Sequence, residues 1–397
     1  MERIETDIVI AGGGVAGLTA AAAFGTAGYA VILVDPAPPI TAHTTDGADL
    51  RTTAFLQPAQ AFLAQTGVWD AIAPYATPLQ IMRIVDASGE SGTERVTADF
   101  DAADISEKPF GWNLPNWLIR RELIARIAAL PNVALRTGVG FRAMLPREAE
   151  VLVNLTDGTQ ARAQLLIGAD GRNSAVRDAA GISATTTRYG QKALTFAVTH
   201  AAPHANISTE IHRSGGPFTS VPLPDHDGQP CSAVVWMETG TEVQRLAALD
   251  DDAFAAQATA RSAGLYGPLT LASRRMVWPI ISQIADSLTA PRTALVAEAA
   301  HVMPPIGAQG LNMSLRDLAT LLDLAKTHDI GSRKMLDAYQ RQRHLDIKLR
   351  VTGIDALNRA SMAGAPLVQD LRVAGIKALV GAAPIRKTLM QMGLGAT

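Results

Sequence analysis

Three glycines near the N-terminus have the spacing of a turn that binds a dinucleotide. They are Gly12, Gly14 and Gly17, within the sequence Gly12-Gly13-Gly14-Val15-Ala16-Gly17. The first glycine permits a tight turn, the second lets a pyrophosphate approach the backbone, and the third lets the next helix pack close to a strand. Asp35 follows at the distance expected for an acid that binds ribose hydroxyls. The pattern predicts a dinucleotide site but does not by itself separate FAD from NAD.

A second candidate site is the run from Asp170 to Arg177, which follows an apolar stretch from Leu165 to Ala169. An acid, a glycine, a hydroxyl and an arginine at the end of a strand can ligate a diphosphate. The same residues also fit a surface turn in which Ser174 caps a helix and Arg177 is solvated. Both interpretations are open at this point.

The third candidate site runs from Thr293 to Asp317. The sequence predicts a buried strand from Thr293 to Ala297, the carboxylate of Glu298 at its end, a loop rich in proline and glycine, and a helix that starts near Asn312. A helix start has unpaired N–H groups and partial positive charge, and Gly310 lets a ligand approach them. The segment therefore suits an anion or an electron-rich ring. Two such signals at opposite ends of the chain suggest one long cofactor.

The elements that must position these residues can be predicted from hydrophobic patterns. Residues 7–11 and 30–34 predict buried parallel strands, and the alanine-rich residues 15–27 predict the helix between them. Residues 147–155 and 161–167 predict paired strands around a turn at Asp157 and Gly158. Short strands between residues 193 and 238 predict an inserted antiparallel sheet. Helices are predicted at 312–326 and 332–352, with helical character to the end of the chain.

The composition excludes several classes of protein. The chain has 397 residues, 48% of them hydrophobic, and a formal net charge of −2, so nothing indicates a nucleic-acid partner. The single cysteine, Cys231, excludes a disulfide framework and a multi-cysteine metal site. Neither a Ser/His/Asp nucleophile nor an HExxH motif is found, and no metal site is predicted. The first residues, MERIETD, lack the basic start of a secretory signal, and a reducing cytosol fits.

In this order along the chain, the three sites resemble those of the single-component flavoprotein aromatic hydroxylases, whose fold type is that of para-hydroxybenzoate hydroxylase. Within that group, the chain most resembles the ubiquinone-biosynthesis hydroxylases. Further matches over essentially the whole chain are Asp49-Leu50-Arg51, Gly216-Pro217-Phe218, Val235-Trp236, Leu315-Arg316-Asp317, and Tyr339 with Arg343. The resemblance implies an α/β fold with a Rossmann-type FAD-binding domain (residues 1–75, 100–185 and 285–330). It also implies an inserted mixed or antiparallel β-sheet substrate domain (76–99 and 186–284) and a C-terminal helical region (331–397).

The resemblance also implies roles for individual residues. The implied cofactor-binding residues are Gly12, Gly14, Val15, Ala16, Gly17, Asp35, Arg51, Arg120, Asp170, Glu298, Gly310, Leu311 and Asn312. The 12–17 turn would hold the FAD pyrophosphate, Asp35 the adenosine ribose, and Glu298 the ribityl chain. Arg51 and Arg120 would contact the flavin nucleotide, Asp170 the diphosphate and NAD(P)H, and Leu311 and Asn312 would lie near the isoalloxazine ring.

For three residues, the sequence leaves alternatives open. Arg51 and Arg120 could each form a surface ion pair of little energetic consequence. His301 could be a base, or a histidine bonded to backbone near the loop. No catalytic residue is therefore assigned.

By the same resemblance, the protein would hydroxylate the aromatic ring of a polyprenylated ubiquinone precursor, a prenylated phenol. The reaction would use FAD, NAD(P)H and O2, through a C4a-hydroperoxyflavin. The basic and apolar residues after Val351 would contact a membrane surface or other biosynthetic subunits, or pack as plain C-terminal helices. The expected location is cytoplasmic, peripheral at the inner membrane.

Three residues depart from the family pattern. Ala297, Glu298 and Ala308 stand where the family has glycine, aspartate and glycine. They leave open a flavin-poor, non-catalytic accessory or lipid-binding member of a ubiquinone-biosynthesis complex. Another FAD oxidoreductase of the same fold is the remaining alternative.

Overall fold

The computed structural model describes residues 3–89, 94–213, 215–381 and 383–394. In chain order, the strands are β1 (Arg3–Glu5), β2 (Ile8–Ala11), β3 (Val31–Asp35), β4 (Thr52–Leu56), β5 (Thr77–Leu79), β6 (Ile81–Asp86), β7 (Val96–Asp101), β8 (Gly111–Pro115), β9 (Val133–Thr137), β10 (Phe141–Pro146), β11 (Val151–Leu155), β12 (Gln160–Ala163), β13 (Leu165–Gly168), β14 (Ala184–His200), β15 (Ile207–His212), β16 (Pro217–His226), β17 (Gln229–Thr239), β18 (Leu269–Leu271), β19 (Met276–Ala285), β20 (Thr289–Ala290), β21 (Thr293–Leu295) and β22 (His301–Val302). The helices are α1 (Val15–Thr26), α2 (Gln57–Gln65), α3 (Trp69–Ile72), α4 (Asn116–Ala128), α5 (Ala175–Ala179), α6 (Gly240–Ala247), α7 (Asp251–Arg261), α8 (Gln309–Ala325), α9 (Arg333–Met362), α10 (Pro366–Gly381) and α11 (Ala383–Leu394).

The glycine turn belongs to a six-stranded sheet with the order β20-β21-β13-β2-β3-β9. Strands β21, β13, β2, β3 and β9 run parallel, and β20 is antiparallel to β21. All residues of β2 and β13 are buried, as expected for a parallel sheet that is covered on both faces. Because α1 follows β2 almost at once, residues 12–14 turn over the carboxyl end of β2.

A nine-stranded sheet provides the second large surface. Its order is β22-β19-β14-β17-β16-β15-β6-β7, and β18 pairs with β14. The pairings are antiparallel except for β15 with β6. One face packs against α6 and α7 through a cluster that includes Phe196, Trp236 and Phe254. The other face is therefore free to form the wall of a site.

Smaller sheets and the C-terminal helices complete the fold. One sheet has the order β1-β12-β11-β10 and another β4-β8-β5. Helix α9 packs along α8, and α10 packs on β7. Arg372 of α10 donates a hydrogen bond to the buried Asp86 carboxylate at 2.6 Å, which fastens α10 to the end of β6. None of the described helices is both long and apolar enough to cross a bilayer.

The fold class predicted from the sequence is confirmed, whereas several element boundaries were wrong. Residues 161–167 form parts of two strands in different sheets, because the N–H groups of Gln164 and Leu165 both bond to the Asp7 carbonyl beside β2. The strand at Thr293 ends at Leu295. Helix α8 begins at Gln309 rather than near Asn312, and α9 continues to Met362. The domain boundaries stay a prediction.

Candidate active site

One cavity of about 860 Å³ connects the glycine turn with the free face of the nine-stranded sheet. This volume lies towards the upper end of the range of roughly 300–1,000 Å³ for small-molecule sites. Most of the predicted cofactor-binding residues line it: Gly12, Gly14, Val15, Ala16, Asp35, Arg51, Arg120, Asp170, Glu298, Gly310 and Leu311. Gly17 and Asn312 are not part of the lining. The structure thus brings residues from opposite ends of the chain to one cavity.

The glycine turn leaves open space on its cavity side. A Cβ atom at Gly17 would lie 1.8 Å from the Gly12 carbonyl oxygen, so this position requires glycine for close packing. At Gly14, by contrast, a Cβ atom would meet nothing within 4 Å. Gly14 therefore lets a ligand approach the backbone, and Gly17 lets α1 pack close to the turn.

The Asp35 carboxylate lies at the end of β3 and is fixed by backbone groups. Its two oxygens accept hydrogen bonds from the N–H of Gly13 and, at 2.8 Å, from the N–H of Ala37. The carboxylate is thus held in place at the edge of the cavity.

Arg51 forms an ion pair inside the cavity wall. Its Nε and Nη2 atoms donate to the Asp49 carboxylate at 2.8 and 2.7 Å, and its guanidinium carbon lies 4.0 Å from the Trp278 ring centroid. Burial favours the neutral form of Asp49, but the hydrogen bonds and charge of Arg51 and a bond from Asn116 hold its pKa below the usual value. Arg51 thus forms an ion pair, as one alternative predicted, but both partners line the cavity, and the contact with a flavin nucleotide stays a prediction.

Arg120 of α4 has an unsatisfied donor. Among the described residues, no hydrogen-bond partner reaches its buried Nε atom, and the side chain lines the cavity. Buried donors in folded proteins are normally paired, so an acceptor from a ligand would complete this site. No ion pair with Arg120 is found within the described part of the chain, whereas the neighbouring Arg121 pairs with Glu122.

The Asp170 segment joins two parts of the cavity rim. Asp170 accepts hydrogen bonds from the Ser174 hydroxyl and, at 3.0 Å, from the Val176 N–H. Ser174 caps α5 by accepting from the Arg177 N–H at 2.9 Å. Arg177 is buried and donates to the Ala299 carbonyl at 3.2 Å. Ser174 is thus a cap, as one alternative predicted, but the prediction of a solvated Arg177 was wrong.

Two alanines border the cavity in a left-handed backbone conformation. Ala297 and Ala308 both have a φ of 55°, a region that favours glycine. Ala297 begins a short 3₁₀ turn that presents the exposed Glu298 side chain to the cavity. Ala308 is the residue before the first turn of α8. These are the two positions at which the family pattern has glycine.

Asn312 is used by the fold. Its side chain accepts a hydrogen bond from the Leu56 N–H at 2.9 Å and donates to the carbonyls of Ala54 and Ala308 at 2.7 and 2.6 Å. It therefore ties β4 to the start of α8. The preceding residue, Leu311, lines the cavity.

His301 lies at the cavity and bonds to a carboxylate, so the prediction of a backbone partner was wrong. Its Nε2 atom lies 2.6 Å from Asp317, and Arg343 donates to the other oxygen of Asp317 at 2.7 Å. Both His301 and Asp317 are buried. This charge cluster connects β22, α8 and α9.

The free face of the nine-stranded sheet lines the rest of the cavity, chiefly with small or apolar side chains: Ala193, Thr195, Ser208, Thr219, Val221, Ala233, Val235 and Ile280. Glu210 of β15 is the exception, and the sequence reasoning missed it. The available signal was the alternation along β15, which places Ser208, Glu210 and His212 on one face. A smaller cavity of about 530 Å³ adjoins this one, shares Arg172 with it, and also contains Arg177 and Arg188.

Comparison with known proteins gives a consistent result. The model of the family described as FAD binding domain matches residues 5–352. The chain is 31% identical to the ubiquinone hydroxylase UbiL of Rhodospirillum rubrum, over 98% of this chain and 89% of the relative. It is 27% identical to the 3-demethoxyubiquinol 3-hydroxylase of Escherichia coli, over the full length of both. The structure of p-nitrophenol 4-monooxygenase PnpA from Pseudomonas putida superposes with a TM-score of 0.80, covering 99% of this chain and 98% of that one at 20% identity, which shows a common fold.

Proposed function

Since the chain belongs to the FAD binding domain family, we propose that it is an FAD-dependent monooxygenase that hydroxylates the aromatic ring of a polyprenylated ubiquinone precursor. The names of the two relatives supply the substrate class. The observation that carries the proposal is the single cavity, which joins a dinucleotide-type glycine turn to a wall of small apolar side chains. Such a cavity can hold a cofactor and a ring side by side.

The residues present fit FAD. The open backbone at Gly14 and the unpaired Nε of Arg120 suit phosphate oxygens, and the exposed Glu298 carboxylate suits ribityl hydroxyls. Asp35 would hold the adenosine ribose. Arg51 would contact the flavin nucleotide while Asp49 keeps it in place.

The other predicted cofactor residues would act through backbone or packing. Val15, Ala16 and Gly17 begin α1, whose first N–H groups would face the pyrophosphate. Asp170 would act mainly by ordering its turn, since both of its oxygens already accept hydrogen bonds. The first turn of α8, with Gly310 and Leu311, would favour negative charge on the flavin ring.

When bound and reduced by NAD(P)H, FAD supplies the activation of O2. The protein's own residues would bind the cofactor, orient the substrate ring and exclude water. We further propose that the cationic cavity with Arg172, Arg177 and Arg188 receives the phosphates of NAD(P)H, because it adjoins the main cavity and presents guanidinium groups.

The prenyl chain would lie at the apolar end of the cavity. Three apolar residues line this end of the cavity: Leu79, Met82 and Phe110. Leu79 and Phe110 belong to a cluster with Ile376 of α10 and Met390 of α11, and Met82 packs against that cluster. This cluster would lead an apolar chain from the ring site towards the C-terminal helices.

We also propose that the protein is cytoplasmic and peripheral at the inner membrane, with its C-terminal helices in contact with the membrane surface. Four outer leucines are largely exposed: Leu345 (63%), Leu349 (64%), Leu367 (71%) and Leu371 (64%). Arg341 and Lys348 are exposed beside the first two, which suits anionic lipid headgroups.

The experiment that tests the proposed function is an FAD titration followed by reduction. Purified protein should bind FAD with a flavin absorption spectrum. NAD(P)H should bleach this spectrum faster when a prenylated phenol is present, and a hydroxylated phenol should appear in air. Protein that retains no flavin absorbance after free FAD has been removed by gel filtration would contradict the proposal.

A second candidate is a flavin-poor accessory or lipid-binding protein. Ala297, Glu298 and Ala308 favour it, because the two alanines carry backbone strain at the cavity and Glu298 has a longer reach than aspartate. If these departures weaken FAD binding, Glu298→Asp or Ala308→Gly should lower the dissociation constant for FAD. A hydroxylated product from the unaltered chain would exclude this candidate.

A further inference from the structure

Glu210 stands out on the wall that faces the substrate. It lies on β15, is only 7% exposed, and lines the main cavity. Among the described residues, it is the only acidic side chain that the nine-stranded sheet contributes to this cavity. Burial of a carboxylate among small apolar side chains is costly unless hydrogen bonds compensate for it.

His212 holds this carboxylate. Its Nε2 atom lies 2.8 Å from Glu210 Oε1, and the two side chains share one face of β15. The residues paired with Glu210 on the adjacent strands are Thr219 and Ile84, neither of which is charged. Among the described residues, no arginine or lysine forms an ion pair with Glu210, whose Oε1 is contacted by His212. A hydroxyl donor in the cavity would complete the hydrogen bonds of the carboxylate.

We propose that Glu210 accepts the hydrogen bond of the substrate's ring hydroxyl and takes its proton during ring hydroxylation, with His212 as the positioning residue. This inference rests on the proposed function. As the ring carbon bonds to one oxygen atom of O2, the O–O bond would break and the other oxygen atom would leave as water, with two electrons that NAD(P)H supplies through FAD. The ring then loses electron density. The hydroxyl O–H bond then breaks, its electron pair forms a ring carbonyl, and the proton bonds to the Glu210 carboxylate.

Glu210 regains its charged form at the end of the reaction. When the ring loses its C–H proton to water and becomes aromatic again, Glu210 returns its proton to the ring oxygen. No electron passes through the carboxylate. A substrate without the hydroxyl hydrogen, such as a methyl ether, has no donor for Glu210 and leaves the carboxylate with His212 alone.

The test compares the binding of 2-prenylphenol with that of its methyl ether. Binding can be followed by tryptophan fluorescence, because Trp278 lines the cavity, so turnover is not required. The unaltered FAD-treated protein should prefer the phenol by about tenfold, and Glu210→Gln should reduce this preference by roughly five- to tenfold while leaving the ether unchanged, since charged acceptors form the stronger hydrogen bonds. Glu210→Asp should retain part of the preference, and His212→Asn should lower it.

The matched control is Glu242→Gln, which removes a partly exposed carboxylate that is paired with Arg245 and does not line the cavity, and it should leave the preference unchanged. A purely structural role for Glu210 would lower the melting temperature without changing the phenol-to-ether ratio. A Glu210→Gln variant with the unaltered ratio, and with the unaltered yield of product per NAD(P)H, would overturn the inference while the proposed function stands. Failure of the unaltered protein to hydroxylate any prenylated phenol would instead count against the proposed function.

Discussion

At the level of single residues, the cavity contains two kinds of polar side chain. Some already have hydrogen-bond partners within the protein, and a few still lack one among the described residues. Asp35, Asp170 and Asn312 are held by backbone or neighbouring groups. By contrast, Arg120 has an unpaired Nε, and no hydrogen bond to the exposed Glu298 side chain is found within the described ranges. We therefore expect the first group to shape the site and the second to contribute most to cofactor affinity.

Ala308 provides a prediction about backbone strain. A left-handed conformation costs a non-glycine residue about 1–2 kcal/mol, and glycine recovers this at the expense of greater freedom in the unfolded chain. Ala308→Gly should therefore raise the free energy of unfolding by up to about 1 kcal/mol, as measured by urea denaturation. The control is Ala319→Gly inside α8, which should lower it by about 1 kcal/mol. If both variants lose stability equally, the φ of 55° at Ala308 is not strained.

Asp49 provides a prediction about pH. Its pKa is lowered in the folded protein, so its contribution to stability is present above the unfolded pKa of about 3.9 and is lost as the pH falls through the lower folded value. Asp49→Asn should lower the free energy of unfolding by about 1–3 kcal/mol at pH 7. As the pH falls below about 4, the free energy of unfolding of this variant should decrease less than that of the unaltered protein. Unfolding titrations over this range measure the difference. Asp323→Asn, which breaks an exposed pair with Lys326, should change little.

Residue-level prediction from sequence succeeded where the backbone itself imposes the residue type. The spacing of Gly12, Gly14 and Gly17 follows from turn geometry and close packing, so it could be recognised directly. The partner of His301 could not, because Asp317 and Arg343 reach it only after α8 and α9 have packed together. Glu210 was missed for a related reason, since the cavity face of β15 is defined by strands that are distant in sequence.

At the level of elements, the charge cluster of His301, Asp317 and Arg343 fastens β22, α8 and α9 to one another. Asp317 is fully buried and Arg343 nearly so. Because removal of one partner leaves a buried charge uncompensated, Arg343→Met should lower the free energy of unfolding by about 3–5 kcal/mol. Arg333→Met, at the exposed start of the same helix, should cost less than about 0.5 kcal/mol. Similar urea midpoints for the two variants would show that the cluster does not hold these elements together.

The boundaries of strands and helices were predicted well where they follow from local sequence alone. The β-α-β unit was found because an apolar run, a glycine turn and an alanine-rich helix follow one another directly. The strand at residues 161–167 was misjudged because the chain changes sheets at Gln164, which depends on the carbonyl of Asp7. Similarly, β14 is longer than predicted because β19 pairs with its residues 184–188, which lie before the residues 191–199 that β17 pairs.

At the level of the whole molecule, the proposed membrane contact depends on the exposed leucines of α9 and α10, so their substitution tests it. A variant with glutamine at Leu345, Leu349, Leu367 and Leu371 should lose co-sedimentation with vesicles that contain an anionic phospholipid, since each leucine would no longer bury apolar area. Its FAD binding should not change. Leu145→Gln, at a leucine that is 55% exposed on β10, serves as the control and should bind vesicles as the unaltered protein does. Equal binding of the fourfold variant would contradict this contact.

The whole-chain arrangement was predictable because motifs near residues 12, 170 and 310 occur in one order, and the resemblance extends over the intervening segments. The sequence could not predict that the cavity is continuous or which residues form its substrate wall, because both depend on how the nine-stranded sheet lies against the glycine turn. In the proposed function, this cavity brings a reduced flavin, O2 and a phenolic ring together.

Isotope labelling of the product shows whether an oxygen atom of O2 enters the ring. The FAD-treated protein would be incubated with NAD(P)H, a prenylated phenol and 18O2, and the phenolic product analysed by mass spectrometry. We predict a hydroxylated ring that carries one atom of 18O from O2, with unlabelled product when 16O2 is used. NAD(P)H oxidation that yields only hydrogen peroxide, or a product whose new oxygen comes from water, would contradict the proposed function.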